Sequence, residues 1–176
     1  MKRRLELLVR KSNRLKDFDY SSNGLYFVTI CTKDKADLFW NPVVGADIIR
    51  PPDNCDYRNK FSEYGKTVET AILNISEKYP TVVVDKYCVM PNHIHLIVYI
   101  GNEYGGRIIS APTLSVVIGQ MKSWVTKMCG FPIWQKSFHD HIIRNKNDYL
   151  KISEYIEQNP IRWELDCYYI DNPNKI

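Results

Sequence analysis

The sequence has no apolar run longer than a β-strand, and its first residues lack the sustained apolar region of a secretory signal. A membrane-spanning helix needs about 20 consecutive apolar residues, and a signal peptide needs an apolar region behind its basic start. Here Met1-Lys2-Arg3-Arg4 leads into a segment of mixed charge. The sequence therefore predicts a protein without membrane spans and without a secretory signal.

Paired cysteines are also missing. The chain has five cysteines, an odd number, and none of them forms a CxxC pair. They are Cys31, Cys55, Cys88, Cys129 and Cys167. Their scatter argues against a zinc ribbon and against a disulfide framework, and it predicts reduced thiols in a bacterial-type cytoplasm.

Acidic residues are scarce at the N-terminus. Residues 1–16 hold seven basic residues and only one acidic residue, a net charge of +6, while the whole chain carries +4, so the other residues sum to −2. A basic arm on a nearly neutral body suggests a polyanionic partner. The alternative is that this segment is simply a solvated or disordered terminus.

The remaining composition is that of a folded protein with a real core. The chain has 176 residues, of which 44% are hydrophobic and 25% are charged. This size fits one domain. We predict a basic arm at 1–16, one domain at 17–165 and a C-terminal tail at 166–176, and we expect the aromatic residues Trp163, Tyr168 and Tyr169 to fold back onto the core.

Residue patterns predict seven elements in the order β-α-β-β-α-β-α. The predicted strands cover 25–32, 82–89, 93–100 and part of 134–144. The predicted helices cover 62–78, 112–129 and 148–158, and Asn147 is the expected cap of the last one. Loop signals between 33 and 62 predict a variable surface excursion. The first six elements match the ferredoxin-like (RRM-like) plan, an α+β fold with helices on one face of an antiparallel sheet, to which the last helix is added.

Two histidines, His93 and His95, open the third predicted strand. Side chains alternate between the two faces of a strand, so these imidazoles share one face. They form half of a metal site, although two half-exposed sheet residues would show the same pattern. A histidine-triad hydrolase would have a third histidine where Ile97 stands, and the HxE and PCxxC motifs of zinc deaminases are absent.

The last predicted helix carries Tyr155 and Asn159, which lie on one face about one turn apart. A helical tyrosine is usually a core or surface aromatic residue. An asparagine before a proline is usually a helix-end residue. Neither residue alone indicates chemistry.

Together these segments resemble a known family. His93-Ile94-His95 resembles the His-hydrophobic-His motif of HUH nucleases. The segment 155–160, Tyr-Ile-Glu-Gln-Asn-Pro, resembles a block of the REP-associated tyrosine transposases, relatives of the single-tyrosine transposases of insertion sequences. Further blocks in matching order are 26–32, 89–95, 134–135 and 140–144. The resemblance covers most of residues 15–165.

The resemblance implies a DNA strand-transfer enzyme that acts on single-stranded or hairpin DNA through a covalent 5′-phosphotyrosine. His93, His95 and Asn159 would hold one divalent cation, Mg²⁺ or Mn²⁺, and Tyr155 would be the nucleophile. Phe138 stands where many relatives have a tyrosine. The residues expected to contact DNA phosphates are Arg3, Arg4, Arg10, Lys11, Arg14, Lys122 and Lys127. Family members include monomers and homodimers, and both remain open here.

Two other functions remain open from the sequence. The chain could be a catalytically inactive or domesticated single-stranded nucleic-acid-binding protein of the same fold. It could also be a phosphohydrolase that uses the histidines with water, in which case turnover would not need Tyr155.

Overall fold

The computed structural model describes residues 23–42, 57–101, 103–104, 107–108 and 111–169. The basic arm and its five arginines and lysines named above lie outside these residues. The strands are β1 Gly24–Cys31, β2 Val82–Val89, β3 His93–Ile100, β4 Glu103–Tyr104, β5 Arg107–Ile108 and β6 His139–Ile143. The helices are α1 Glu63–Lys78, α2 Leu114–Cys129 and α3 Lys146–Gln158.

Four strands form one antiparallel sheet in the order β2-β3-β1-β6. β1 lies in the interior of the sheet and pairs with both β3 and β6, and α1 packs against α2. This is the strand order of the ferredoxin-like plan, so the predicted fold class is confirmed. Aromatic and β-branched residues give β1 and β3 their strand character.

Alternation along the strands gives the sheet two different faces. Tyr26, Val28 and Ile30 of β1 point toward the core that includes α1 and α2, together with Ile94 and Leu96 of β3. The residues between them point the other way, where a smaller cluster contains Cys88, Met90, Ile97, Ile143 and Ile156. Ile156 belongs to α3, so the last helix covers the face opposite α1 and α2. His93 and His95 also point to this second face.

Side-chain caps set the helix starts. Ser62 accepts a hydrogen bond from the Gly65 N–H at the start of α1, and Thr113 accepts one from the Val116 N–H at the start of α2. Gly130 ends α2 in the left-handed conformation, with φ of 78°.

The predicted cap of α3 was wrong. Asn145, and not Asn147, precedes the helix, because the Asn145 Oδ1 accepts a hydrogen bond of 2.9 Å from the Asp148 N–H. Asn147 then lies within the first turn. Both residues are asparagines, and only the path of the chain before the helix decides which one caps it.

Two segments differ from the sequence-based picture. The residues after β3 include the short hairpin of β4 and β5, which is not among the seven predicted elements. Within the predicted surface excursion, Phe39 and Phe61 are fully or almost fully buried. Their burial shows that the ends of this excursion contribute to the core, whereas its middle lies outside the described residues.

None of the helices in the described part of the chain is both long enough and apolar enough to cross a membrane.

Candidate active site

The histidine pair lies where β3 begins, directly after the Met90-Pro91-Asn92 turn. His93 pairs across the sheet with Cys31, and His95 pairs with Thr29. Both imidazoles are buried, with 0% and 1% of their surface exposed, and their Nε2 atoms are 2.9 Å apart. The strand therefore holds the Nε2 atoms of both rings next to each other.

Hydrogen bonds fix the orientation of each ring. The Asn92 Nδ2 donates to the Tyr168 carbonyl at 3.0 Å, which turns the Asn92 Oδ1 toward His93 Nδ1 at 2.9 Å. His93 Nδ1 must then carry the proton, and its Nε2 presents a lone pair. On the other ring, the Thr29 hydroxyl lies 2.8 Å from His95 Nδ1. Partners of this kind commonly hold metal-binding histidines in place.

The buried environment keeps both imidazoles neutral. Burial and, secondly, the positive charge of Lys35 lower the pKa of His93 to about 3. Burial and the neighbouring His93 lower the pKa of His95 to about 3, although the Asp166 carboxylate opposes them. Neutral imidazole is the form that binds metals.

Tyr155 on α3 lies next to the pair, so the structure brings together the strand and the helix that the sequence singled out. Its hydroxyl is 3.2 Å from His95 Nε2 and donates a hydrogen bond of 3.0 Å to Asp166 Oδ2. The two rings are 5.1 Å apart, and Phe27 stacks on His95 from the sheet. Burial and, secondly, the negative charge of Asp166 raise the pKa of Tyr155 above its ordinary value.

Asn159 is the C-cap of α3, where its N–H donates to the Tyr155 carbonyl at 3.0 Å. Its side chain is buried, and its amide nitrogen makes no hydrogen bond of ordinary geometry within the described residues. The amide favours the ionised form of Tyr155 and so lowers the pKa of that hydroxyl against the larger effect of burial. Its role as a metal ligand stays a prediction.

Asp166 is the residue that the sequence did not single out. One donor atom each from His93, His95 and Asp166 lies within 4.8 Å of the others. The only sequence signal was indirect, because Asp166 lies between Trp163 and Tyr168, two of the aromatic residues that we expected to fold back. They do fold back: the rings of Tyr168 and Trp163 lie 4.6 Å and 5.8 Å from the His93 ring.

The two predicted DNA-contacting lysines of α2 are not beside the histidines, because α2 packs on the opposite face of the sheet. Lys122 is half-buried and donates to the carbonyls of Gln135 and Ser137 at 2.7 Å and 3.2 Å. Burial lowers its pKa. Lys127 is exposed. Contact with DNA stays a prediction for both.

No protein-family model matches the sequence. The chain is 32% identical over 181 residues to an uncharacterized protein of Haemophilus influenzae, and the match covers 92% of this chain and 94% of that protein. The two proteins belong to the same family.

A second protein of Haemophilus influenzae, named as a candidate REP-associated tyrosine transposase, is 29% identical over 152 residues, which is 82% of this chain and 74% of that protein. This chain is a relative of the REP-associated tyrosine transposases. The resemblance expected from the sequence is thereby confirmed.

A solved REP-associated tyrosine transposase bound to a REP hairpin has the same fold, with a TM-score of 0.57 at 21% identity. The superposition covers 85% of this chain and 74% of that one. The relationship to these transposases therefore extends from the sequence to the arrangement of the sheet and helices.

Proposed function

We propose that the protein is a transposase-like enzyme of the HUH type that cleaves and rejoins single-stranded DNA through a 5′-phosphotyrosine intermediate. The observation that carries this proposal is the 3.2 Å contact between the Tyr155 hydroxyl and His95 Nε2, beside a second imidazole. It joins a nucleophile from a helix to a pair of metal-ligand side chains from a strand.

The chemistry explains why a tyrosine stands here. The Tyr155 oxygen forms a bond to the phosphorus while the bond from phosphorus to the 3′ oxygen breaks. The phenol gives up its proton and the leaving 3′ oxygen gains one, so a 3′ hydroxyl is released and the 5′ phosphate stays on the protein. Because the new phosphodiester replaces the old one, the reverse attack by a 3′ hydroxyl can rejoin strands without ATP. The helix holds the Tyr155 hydroxyl beside the histidine pair, which positions it for attack.

The residues present suit a divalent cation. His93 Nε2 presents a lone pair, and its 2.9 Å separation from His95 Nε2 is close to the spacing of about 3.0 Å between adjacent ligands of one octahedral ion. We infer that His93, His95 and Asn159 bind Mg²⁺ or Mn²⁺, which suit nitrogen and oxygen donors. When bound, the ion would neutralise the charge that develops on the scissile phosphate.

The proposed substrate is hairpin-forming single-stranded DNA, by analogy with the solved relative, which is bound to a REP hairpin. The basic arm would bind phosphates through Arg3, Arg4, Arg10, Lys11 and Arg14, with Lys122 and Lys127 as further contacts. A DNA-processing role of this kind implies a location in the cytoplasm near the nucleoid. Tyr155 could act on its own chain as a monomer or across a homodimer.

One observation favours a second candidate function, binding without cleavage. Both histidines are almost completely buried, and the Tyr168 ring covers His93 at 4.6 Å. A phosphodiester reaches these nitrogens only if the segment around Tyr168 moves. A protein that binds hairpins without ever opening this segment would be an inactive member of the same fold.

Incubation with end-labelled hairpin-bearing single strands and Mn²⁺ separates these functions. We expect a covalent protein–DNA adduct that disappears in Tyr155→Phe. Tyr149→Phe is the matched control, since this tyrosine lies on the same helix but donates to Asp85 at 2.8 Å, away from the histidines. Binding without an adduct across several hairpins would support the inactive candidate. Hydrolysis that persists in Tyr155→Phe would instead indicate a phosphohydrolase.

A further inference from the structure

Asp166 lies at the histidine pair although its position in the sequence belongs to the predicted tail. Among the described residues, the cluster of His93, His95 and Asp166 is the one group of three potential metal-binding side chains of the His, Cys, Asp or Glu type. The carboxylate is held on both oxygens. Asp166 Oδ1 accepts from the Tyr168 N–H at 2.7 Å, and Oδ2 accepts from the Tyr155 hydroxyl at 3.0 Å.

We propose that Asp166 is a ligand of the divalent cation that His93 and His95 bind. The proposal rests on the proposed function, which supplies the cation. Two neutral imidazoles and one amide form a donor set without charge. Mg²⁺ and Mn²⁺ bind most readily to oxygen donors and especially to carboxylates, so a carboxylate at this point completes the set.

The carboxylate has the capacity and the reach for this role. An ionised carboxylate offers about four lone-pair sites, and the two hydrogen bonds of Asp166 occupy two of them. The ligand atoms of one ion lie about 3 Å apart, whereas the three donor atoms here lie within 4.8 Å. A shift of at most about 2 Å therefore brings Asp166 into the same coordination sphere.

The charges around the site support the assignment. Lys35 places a positive charge beside this site, with its Nζ 5.1 Å from the centre of the Tyr168 ring that lies against His93. Asp166 is the acidic member of the cluster and carries the opposite charge. A cation bound among buried neutral groups needs a compensating negative charge, and Asp166 supplies one.

Calorimetric titration of the full chain with Mn²⁺ alone tests the proposal without any need for catalysis. Asp166→Asn is the key variant, since it removes the charge and keeps an oxygen for the Tyr168 N–H. We expect Mn²⁺ affinity to fall about tenfold or more. Asp166→Ala should bind Mn²⁺ at least as weakly as Asp166→Asn. This second variant has no side-chain oxygen, so the amide oxygen that asparagine introduces cannot take the place of the carboxylate. Circular dichroism establishes that each variant is folded.

Two controls separate ligation from other effects. Glu164→Gln removes an exposed acid two residues away and should bind Mn²⁺ like the unmodified chain. Tyr149→Phe removes a hydroxyl on the same helix as Tyr155 that donates to Asp85, away from the histidines, so it should also retain affinity. Equal affinity in Asp166→Asn, or an equal loss in Tyr149→Phe, would overturn the role of Asp166. Failure of the unmodified chain to bind Mn²⁺ would instead overturn the metal dependence of the proposed function, and this inference with it.

Discussion

The hydroxyl of Thr29 offers a sharp test of how the site is built. Thr29 lies in the interior strand β1, it is 5% exposed, and its hydroxyl is 2.8 Å from His95 Nδ1. Thr29→Val removes this hydroxyl and puts a methyl group of similar size in its place. Both residues are β-branched, so the strand should form as before.

The expected magnitude follows from a buried nitrogen that loses its partner. Leaving one buried polar group unpaired costs about 1–3 kcal/mol in the free energy of unfolding. The imidazole also loses the contact that orients its ring, and loss of such a contact typically weakens metal affinity by about 10–100-fold. We therefore expect Thr29→Val to reduce both stability and Mn²⁺ affinity.

Thr32→Val is the matched control. Thr32 is also buried, but its hydroxyl lies 2.8 Å and 3.0 Å from the backbone carbonyl oxygens of Ala36 and Asn92, and no hydrogen bond joins it to an imidazole in the described part of the chain. Urea unfolding should show a similar loss of stability in both variants, and Mn²⁺ calorimetry should show a loss of affinity only in Thr29→Val. Unchanged affinity in Thr29→Val, or an equal loss in Thr32→Val, would refute the idea that Thr29 orients His95.

Three further predictions concern pH, the metal ligands and the basic arm. Burial holds the pKa of His93 and His95 near 3 in the folded state against about 6.5 when unfolded. The unfolded chain therefore binds more protons in this range, and the free energy of unfolding should fall by about 1.4 kcal/mol for each histidine between pH 7.5 and 5.5. Urea titrations at several pH values measure this free energy. A double variant with asparagine in place of both histidines should show a weaker dependence of the free energy of unfolding on pH. The same dependence in the variant and in the unmodified chain would contradict the prediction. His93→Ala or His95→Ala should abolish cleavage yet retain most hairpin binding in gel-shift assays, and equal loss of both would show that these residues anchor the strand. Deletion of residues 1–16 should weaken binding and reduce its salt dependence, so an unchanged salt slope would exclude the arm as a phosphate contact.

The fold was predictable because its signals are local. Alternation in β1 and β3 and the helical spacing of α1 and α2 each depend on residues a few positions apart. The buried Phe39 and Phe61 were not predictable in the same way, because no periodic pattern surrounds them. Their burial follows from the bridge between Trp40 and Phe61, which joins distant parts of the chain.

The site was predictable only in part. Alternation along β3 is enough to place His93 and His95 on one face, and family resemblance pointed to Tyr155. The groups that complete the site, among them Asn92, Thr29 and Asp166, act through contacts with residues far away in the sequence or through the fold of the tail. For example, Thr29 and His95 are 66 positions apart. Nothing in the local sequence distinguishes such a threonine from any other in a strand.

The central claim is that Tyr155 attacks the phosphodiester beside the histidine pair. Peptide mapping by mass spectrometry of the full chain, after incubation with hairpin DNA and Mn²⁺ and digestion of the DNA, tests it most directly. We predict a nucleotide attached through its 5′ phosphate to the peptide that contains Tyr155. Attachment to another tyrosine, such as the neighbouring Tyr168, or hairpin cleavage without any attached nucleotide would contradict it.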